Sequence, residues 1–146
     1  MPNWGYLAIN FLYHLGLALW IGGAIVLGAL VAPALFRALP RSDAGNIFGP
    51  ALRRFSRLRV AAVGMVVIAA AVKYVTWERH AASPWIAIRW AAIAALALDV
   101  AYEIGYLEPA LERARGDTEA FGRLHKRSEI LMKSALAVAL VALLFS

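Results

Sequence analysis

His14-Leu15-Gly16-Leu17-Ala18-Leu19-Trp20-Ile21-Gly22-Gly23 lies inside an apolar run that extends from Tyr6 to Phe36. About 20 such residues in a helix cross the ~30 Å hydrocarbon layer of a bilayer, so this run reads as a membrane span. An imidazole in hydrocarbon is costly without a partner, which makes His14 a candidate functional residue. Ala18 and Gly22 follow it at i+4 and i+8 and share its helix face. That face carries one ring and then almost no side-chain volume. Either a neighbouring helix or a flat ligand fits such a stripe.

The rest of the chain supports the same solvent. Of its 146 residues 62% are hydrophobic and 16% charged, with mean hydropathy +0.68. A soluble domain of this size holds about half apolar and a quarter charged residues, so the apolar surplus calls for lipid. There is no cysteine, which excludes disulfides, thiolate metal sites and cysteine nucleophiles. The net charge of +6 does not indicate nucleic acid here, because the basic residues flank apolar segments. Met1-Pro2-Asn3 lacks a basic leader region, and the first apolar run is too long for a cleaved signal.

Four spans are expected, at approximately 6–36, 60–77, 84–106 and 129–145, in a single integral membrane domain covering 1–146. Pro33 should kink or end the first, and Glu108-Pro109 the third. Ser83 caps the third, with Pro84 in its first turn. Thr118 could cap a helix leading into the fourth. Ala44 to Arg59 is amphipathic, with Phe48, Leu52 and Phe55 on one side and Arg53, Arg54 and Arg57 elsewhere. It reads as an interfacial helix between the first two spans. No low-complexity tract or internal repeat stands out. Arg37, Arg41, Arg53, Arg54, Arg57, Arg59, Arg113, Arg115, Arg123, Lys126, Arg127 and Lys133 lie in or beside the first and third connections. Only Lys73, Arg79 and Arg89 lie near the second. The bias places both termini outside the cytoplasm of a bacterial-type inner membrane, with Trp4, Tyr6, Trp77 and Trp85 as an outer aromatic belt. The expected fold is therefore all-α, a four-transmembrane-helix bundle.

Trp20-Ile21-Gly22-Gly23, then Ala32-Pro33-Ala34-Leu35-Phe36-Arg37-Ala38-Leu39-Pro40, then Phe121-x-x-Leu124-His125-x-x-Ser128 resemble the DUF4149 family of four-span proteins, related to TMEM205. The resemblance implies a fold and little function, since that family has no settled activity. Met132 stands where the family commonly has an asparagine. More distantly, a histidine shortly before Trp-x-Gly in a first span is similar to the HemJ and CopD membrane families. That similarity implies haem-linked oxidation or copper.

Two polar constellations follow from the spans. His14 lies some 10 Å inside the outer interface on the helical rise, with Lys73 and Arg89 at similar or shallower depth. A histidine with room beside it beneath two cations suits haem b. The imidazole would bind iron, Ala18 and Gly22 would admit the ring, and Lys73 and Arg89 would meet the propionates. The alternative is plain: the two cations snorkel to headgroups and His14 bonds a neighbouring helix. The second constellation joins Asp99 and Glu103, spaced i, i+4 on the third span, to His125, Glu129 and Lys133 on the fourth helix. It reads either as an ion pair of Asp99 or Glu103 with Lys133, or as a proton site exchanging through His125. His14 and His125 are the candidate metal ligands. They differ in depth by roughly 15–20 Å, too far for one iron.

No metalloprotease, P-loop or catalytic-triad pattern is present, and nothing in the sequence indicates an enzyme. Few methionines and no cysteine make a cuprous transporter a poor fit. The leading expectation is a membrane protein that binds haem b or a related tetrapyrrole near His14, for electron transfer or as a redox partner. The alternatives are an accessory or scaffold subunit packing on other membrane proteins or on a second copy, and a small proton-coupled transporter using Asp99, Glu103 and His125. The bilayer is the common partner in each.

Overall fold

A computed structural model describes residues 3–81, 83–114 and 116–146. The leader reading of Met1-Pro2 and the charges of Arg41 and Arg115 fall on residues or side chains outside that description. The described chain is almost wholly helical and contains no strand. Its elements are α1 (Asn3–Ile25), α2 (Ala32–Ala38), α3 (Arg41–Lys73), α4 (Pro84–Tyr102), α5 (Glu108–Arg113) and α6 (Thr118–Leu144). Wide π-helical turns at Val26–Val31 and Glu103–Leu107 join α1 to α2 and α4 to α5, and a third extends α3 over Tyr74–Glu78.

Three continuous helices are long and apolar enough to cross a membrane: Asn3–Ala38, Ser42–Glu78 and Pro84–Arg113. The fourth helix is long enough but carries Arg127, Glu129 and Lys133. Its charge-free remainder, Ser134 to Leu144, rises about 16 Å, so a crossing by this helix would have to take in the turn that carries the Glu129–Lys133 pair.

Proline placement explains why the first and third helices run further than expected. Proline lacks an N–H, and its ring collides with the carbonyl four residues back. Here the residue before each proline already reaches back five positions, Ala32 N–H to Leu27 O and Glu108 N–H to Glu103 O. The π turn widens the backbone where the ring enters, so the helices continue past Pro33 to Ala38 and past Pro109 to Arg113. The true stop is Leu39, extended at φ −129°, ψ 154°, because it precedes Pro40.

Two further expectations change at helix ends. The expected interfacial segment Ala44 to Arg59 is not a separate helix, since α3 runs unbroken from Arg41 through it into the second span. At α6 the cap is Asp117 rather than Thr118. The Asp117 carboxylate accepts the amide hydrogens of Glu119 and Ala120 at 3.0 Å each. Ser83 is the N-cap of α4 through its extended backbone, with no side-chain bond, and Pro84 opens the helix as expected.

The chain forms two compact units, residues 3–81 with Ser146 and residues 83–114 and 116–145. In the first, α1 packs along α3; in the second, α4 packs along α6. The two hairpins repeat one another. Pro33-Ala34-Leu35-Phe36-Arg37-Ala38 returns as Pro109-Ala110-Leu111-Glu112-Arg113-Ala114, 76 positions later. At the same offset the buried residues of α1, Tyr13, Gly16, Leu17, Trp20 and Ala24, map onto those of α4: Arg89, Ala92, Ile93, Leu96 and Val100. Ala135, Ala139 and Ala142, the buried residues of α6, map onto the buried Ala62, Val66 and Ala69 of α3 at an offset of 73. The internal repeat that the sequence alone concealed is therefore present in the packing.

Candidate functional site

In the first hairpin the polar residues of α1 and of the end of α3 converge on Asn10. The Lys73 ammonium donates to Asn10 Oδ1 at 3.0 Å. It also stands over the faces of Tyr6 and Tyr13, 5.8 Å and 5.4 Å from the ring centres. This side chain is only 2% exposed. It is turned onto Asn10 and the two tyrosine rings. A buried cation is tolerable here because an amide oxygen and two aromatic faces replace part of its hydration.

His14 is oriented by the same residue. Its Nδ1 lies 2.7 Å from the Asn10 carbonyl oxygen. An acceptor at that distance requires a hydrogen on Nδ1, so in the neutral ring the lone pair is on Nε2. Nε2 has the Ser146 hydroxyl at 3.1 Å as its donor. A carbonyl that takes the Nδ1 hydrogen, fixes the tautomer and leaves the lone pair on Nε2 is an arrangement metal-bound histidines use. Ala18 and Gly22 extend from His14 along an exposed face of α1, and a methyl built on Gly22 would meet nothing within 4 Å. The three residues lie at successive turns on one face of α1.

Arg89 belongs to the second hairpin, where it is buried at 3% exposure in the position matching Tyr13. Asp99 and Glu103 also belong there. Glu103 is buried in the π turn, while Asp99 lines a groove of about 360 Å³ between α4 and α6 with Ala95, Leu98, Tyr102, Ser134 and Val138. Lys133 does not reach across to either carboxylate. It pairs at 2.6 Å with Glu129, one turn earlier on its own helix, and both side chains are exposed. His125 is exposed and stacks on Phe121 at 6.1 Å between ring centres. Among the described residues no group of three His, Asp or Glu side chains could hold a metal ion.

Asn10 and Arg59 carry structural roles that the sequence reading passed over. Asn10 is the one amide side chain between Trp4 and Arg37, and that isolation in an apolar span was the available signal. Arg59 looks like one more cytoplasmic cation, yet it is fully buried. Its guanidinium donates to Ser56 Oγ at 3.3 Å and lies 5.4 Å from the centre of the Phe55 ring.

A family model, described as a domain of unknown function (DUF4149), matches residues 15–120. The chain belongs to the DUF4149 family. No curated protein and no solved structure is a significant match. The DUF4149 match takes in Gly22, Lys73, Arg89, Asp99 and Glu103. It begins one residue after His14 and ends before His125.

Proposed function

We propose that this DUF4149 protein is a four-span protein of a bacterial-type inner membrane, with both termini outside the cytoplasm, and that it binds haem b or a related tetrapyrrole on the open face of α1. One observation carries the reading. The Asn10 carbonyl holds the His14 ring so that Nε2 is the basic nitrogen, at the head of a stripe where Ala18 and Gly22 leave room for a flat ring. Such a group would supply one-electron redox chemistry. The chain's own contribution would be the His14 imidazole to hold the iron and the flat apolar face to hold the ring, with the Ser146 hydroxyl giving way at Nε2. The fit is at the iron and the ring; Lys73, committed to Asn10, takes no part in it.

The open space at Gly22 also favours a second reading, in which another membrane protein, or a second copy, packs on the same stripe and no cofactor is held. A visible spectrum of the detergent-purified protein, expressed with haem available, separates the two. The expected result is a Soret band that His14→Ala abolishes. Absence of the band from the wild-type protein overturns the tetrapyrrole reading, and a band unchanged by His14→Ala overturns the ligand assignment.

A further inference from the structure

The two hairpins differ in charge. The first 77 residues hold seven lysines and arginines against a single carboxylate, Asp43, whereas residues 78–146 hold eight basic and eight acidic side chains. The chain's whole net charge of +6 therefore lies in the first hairpin. Its two buried cations, Arg59 and Lys73, are solvated from within by Ser56, Asn10 and aromatic faces. Arg54 and Arg57 are not. Both are exposed on α3, and among the described residues neither has a hydrogen bond or ion pair. Asp43 lies about 16 Å back along the helix from Arg54 and accepts from Ser42. On α6, by contrast, Arg123 and Lys133 each pair with a glutamate one turn away. Like charges one turn apart repel, so Arg54 and Arg57 call for a counter-charge that the chain does not supply.

Their setting shows where it comes from. Arg54, Arg57, Ala61, Gly64 and Ile68 fall at i, i+3, i+7, i+10 and i+14, one straight stripe along α3. The residues of α3 that meet α1, Phe55, Ala62 and Val66, lie on the opposite side. Past the arginines the stripe is apolar and low in relief: Ile68 is 59% exposed, and a methyl on Gly64 would meet nothing within 4 Å. Tyr6 and Trp77 meet at the far end of the hairpin and mark one membrane interface. Arg57 stands about 30 Å along the helix from Trp77, the thickness of the hydrocarbon layer. Arg54 is ~4.5 Å further, at the depth of the opposite headgroups.

We infer that this stripe binds an anionic phospholipid, with its phosphate between Arg54 and Arg57 and one acyl chain along Ala61, Gly64 and Ile68. The inference rests on the first hairpin crossing a bilayer and not on tetrapyrrole binding. Charge selects the lipid. Guanidinium groups present paired N–H donors that match phosphate oxygens. A zwitterionic headgroup offers the same phosphate but brings an ammonium among arginines with no carboxylate to receive it. An anionic headgroup brings only the missing charge, as at other basic clusters beside membrane spans. The apolar part of the stripe selects a lipid over free phosphate, which gains nothing from Ala61, Gly64 or Ile68.

The test uses the full chain in an uncharged detergent. Native mass spectrometry counts bound lipid during titration with phosphatidylglycerol and with phosphatidylcholine of the same acyl chains. Wild-type protein should bind its first phosphatidylglycerol at least tenfold more tightly than phosphatidylcholine, and excess inorganic phosphate should not displace it. Arg54→Gln with Arg57→Gln should erase the preference. Lys126→Gln with Arg127→Gln, an equal loss of exposed charge in the second hairpin, should leave it intact. Gly64→Leu, which keeps both arginines and fills the stripe, should weaken both lipids severalfold. Equal wild-type affinities for the two lipids overturn the proposal, as does displacement by phosphate. So do a preference that survives loss of Arg54 and Arg57, one lost equally with Lys126 and Arg127, and affinities unchanged by Gly64→Leu. The wild-type comparison of lipids and phosphate decides the matter even if a variant fails to elute as a single helical species.

Discussion

The two hairpins use the same buried positions to opposite ends. In the first, close packing is complete at the layer of Gly23, where the buried Phe55 ring occupies the space a methyl would need. Its buried polar residues are folded onto their neighbours: Lys73 onto Asn10 and the tyrosine rings, Arg59 onto Ser56 and Phe55. In the second, the counterparts of Gly23 and Phe55 are Asp99 and Ser128, and a shallow groove lies beside Asp99. The exposed charges of α6 pair along the helix, Glu119 with Arg123 and Glu129 with Lys133. One pattern of small and large residues thus builds two hairpins, and the divergence of a few side chains decides which is a closed strut and which keeps an open groove. Both close the end that carries the tryptophans with an aromatic pair. Tyr6 meets Trp77 edge-on and Trp85 stacks on Phe145, each with ring centres 5.2 Å apart.

The largest test of that contrast is Phe55→Ala. Removing a buried ring that packs on Gly23 should cost about 3–5 kcal/mol, because the backbone there cannot collapse far enough to refill the space. It should also make the first hairpin as open at this layer as the second. Thermal unfolding in detergent followed by circular dichroism would register the loss. An unchanged midpoint would mean the plug is not what closes the first hairpin.

A smaller effect distinguishes two glycines of α1. A methyl on Gly16 would stand 2.7 Å from the Ala62 carbonyl oxygen and 2.8 Å from Val66 Cγ2, so α1 and α3 must part to admit it. Gly16→Ala should destabilise by about 1–3 kcal/mol. Gly22→Ala meets nothing within 4 Å and should stay within about 0.5 kcal/mol of wild type. The counterpart of Gly16 in the second hairpin is Ala92, which is buried with a methyl at that position, so a β-carbon is accommodated in that layer of the second hairpin and not of the first. Equal midpoints for the two glycine variants would break that inference.

The smallest expected effect is local. Asp117→Ala removes the carboxylate that caps α6 and should cost about 1 kcal/mol, seen as faster amide exchange over the first turn of that helix. Protection unchanged at Glu119 and Ala120 would count against the cap.

How far these features could be read from the sequence follows from the physics of each. Long apolar runs between basic connections mark spans whatever their neighbours, so the first three were legible, and Pro84 and Leu39-Pro40 fixed their ends by backbone sterics. The passage of the helices through Pro33 and Pro109 was not, because proline's effect depends on whether the preceding turn has widened. The repeat was hidden because, outside the Pro-Ala-Leu-x-Arg-Ala segments, apolar residues replace one another freely in lipid. Only burial shows that Leu17 and Ile93 do the same work. The His14, Ala18 and Gly22 stripe was legible from helical spacing, whereas the partner of Lys133 was not, since Glu129 and the carboxylates of α4 were all at plausible distance.

By itself the sequence determined the solvent, the helical class, the approximate spans and the DUF4149 kinship, because hydropathy and backbone restrictions act residue by residue. Tertiary structure decided the rest. It turned Lys73 inward, gave His14 its tautomer through the Asn10 carbonyl, and left a shallow groove at Asp99 where the first hairpin has Phe55 on Gly23. Each of these depends on which residues from two different helices share a layer, and helical periodicity fixes the face of one helix but not its register against another.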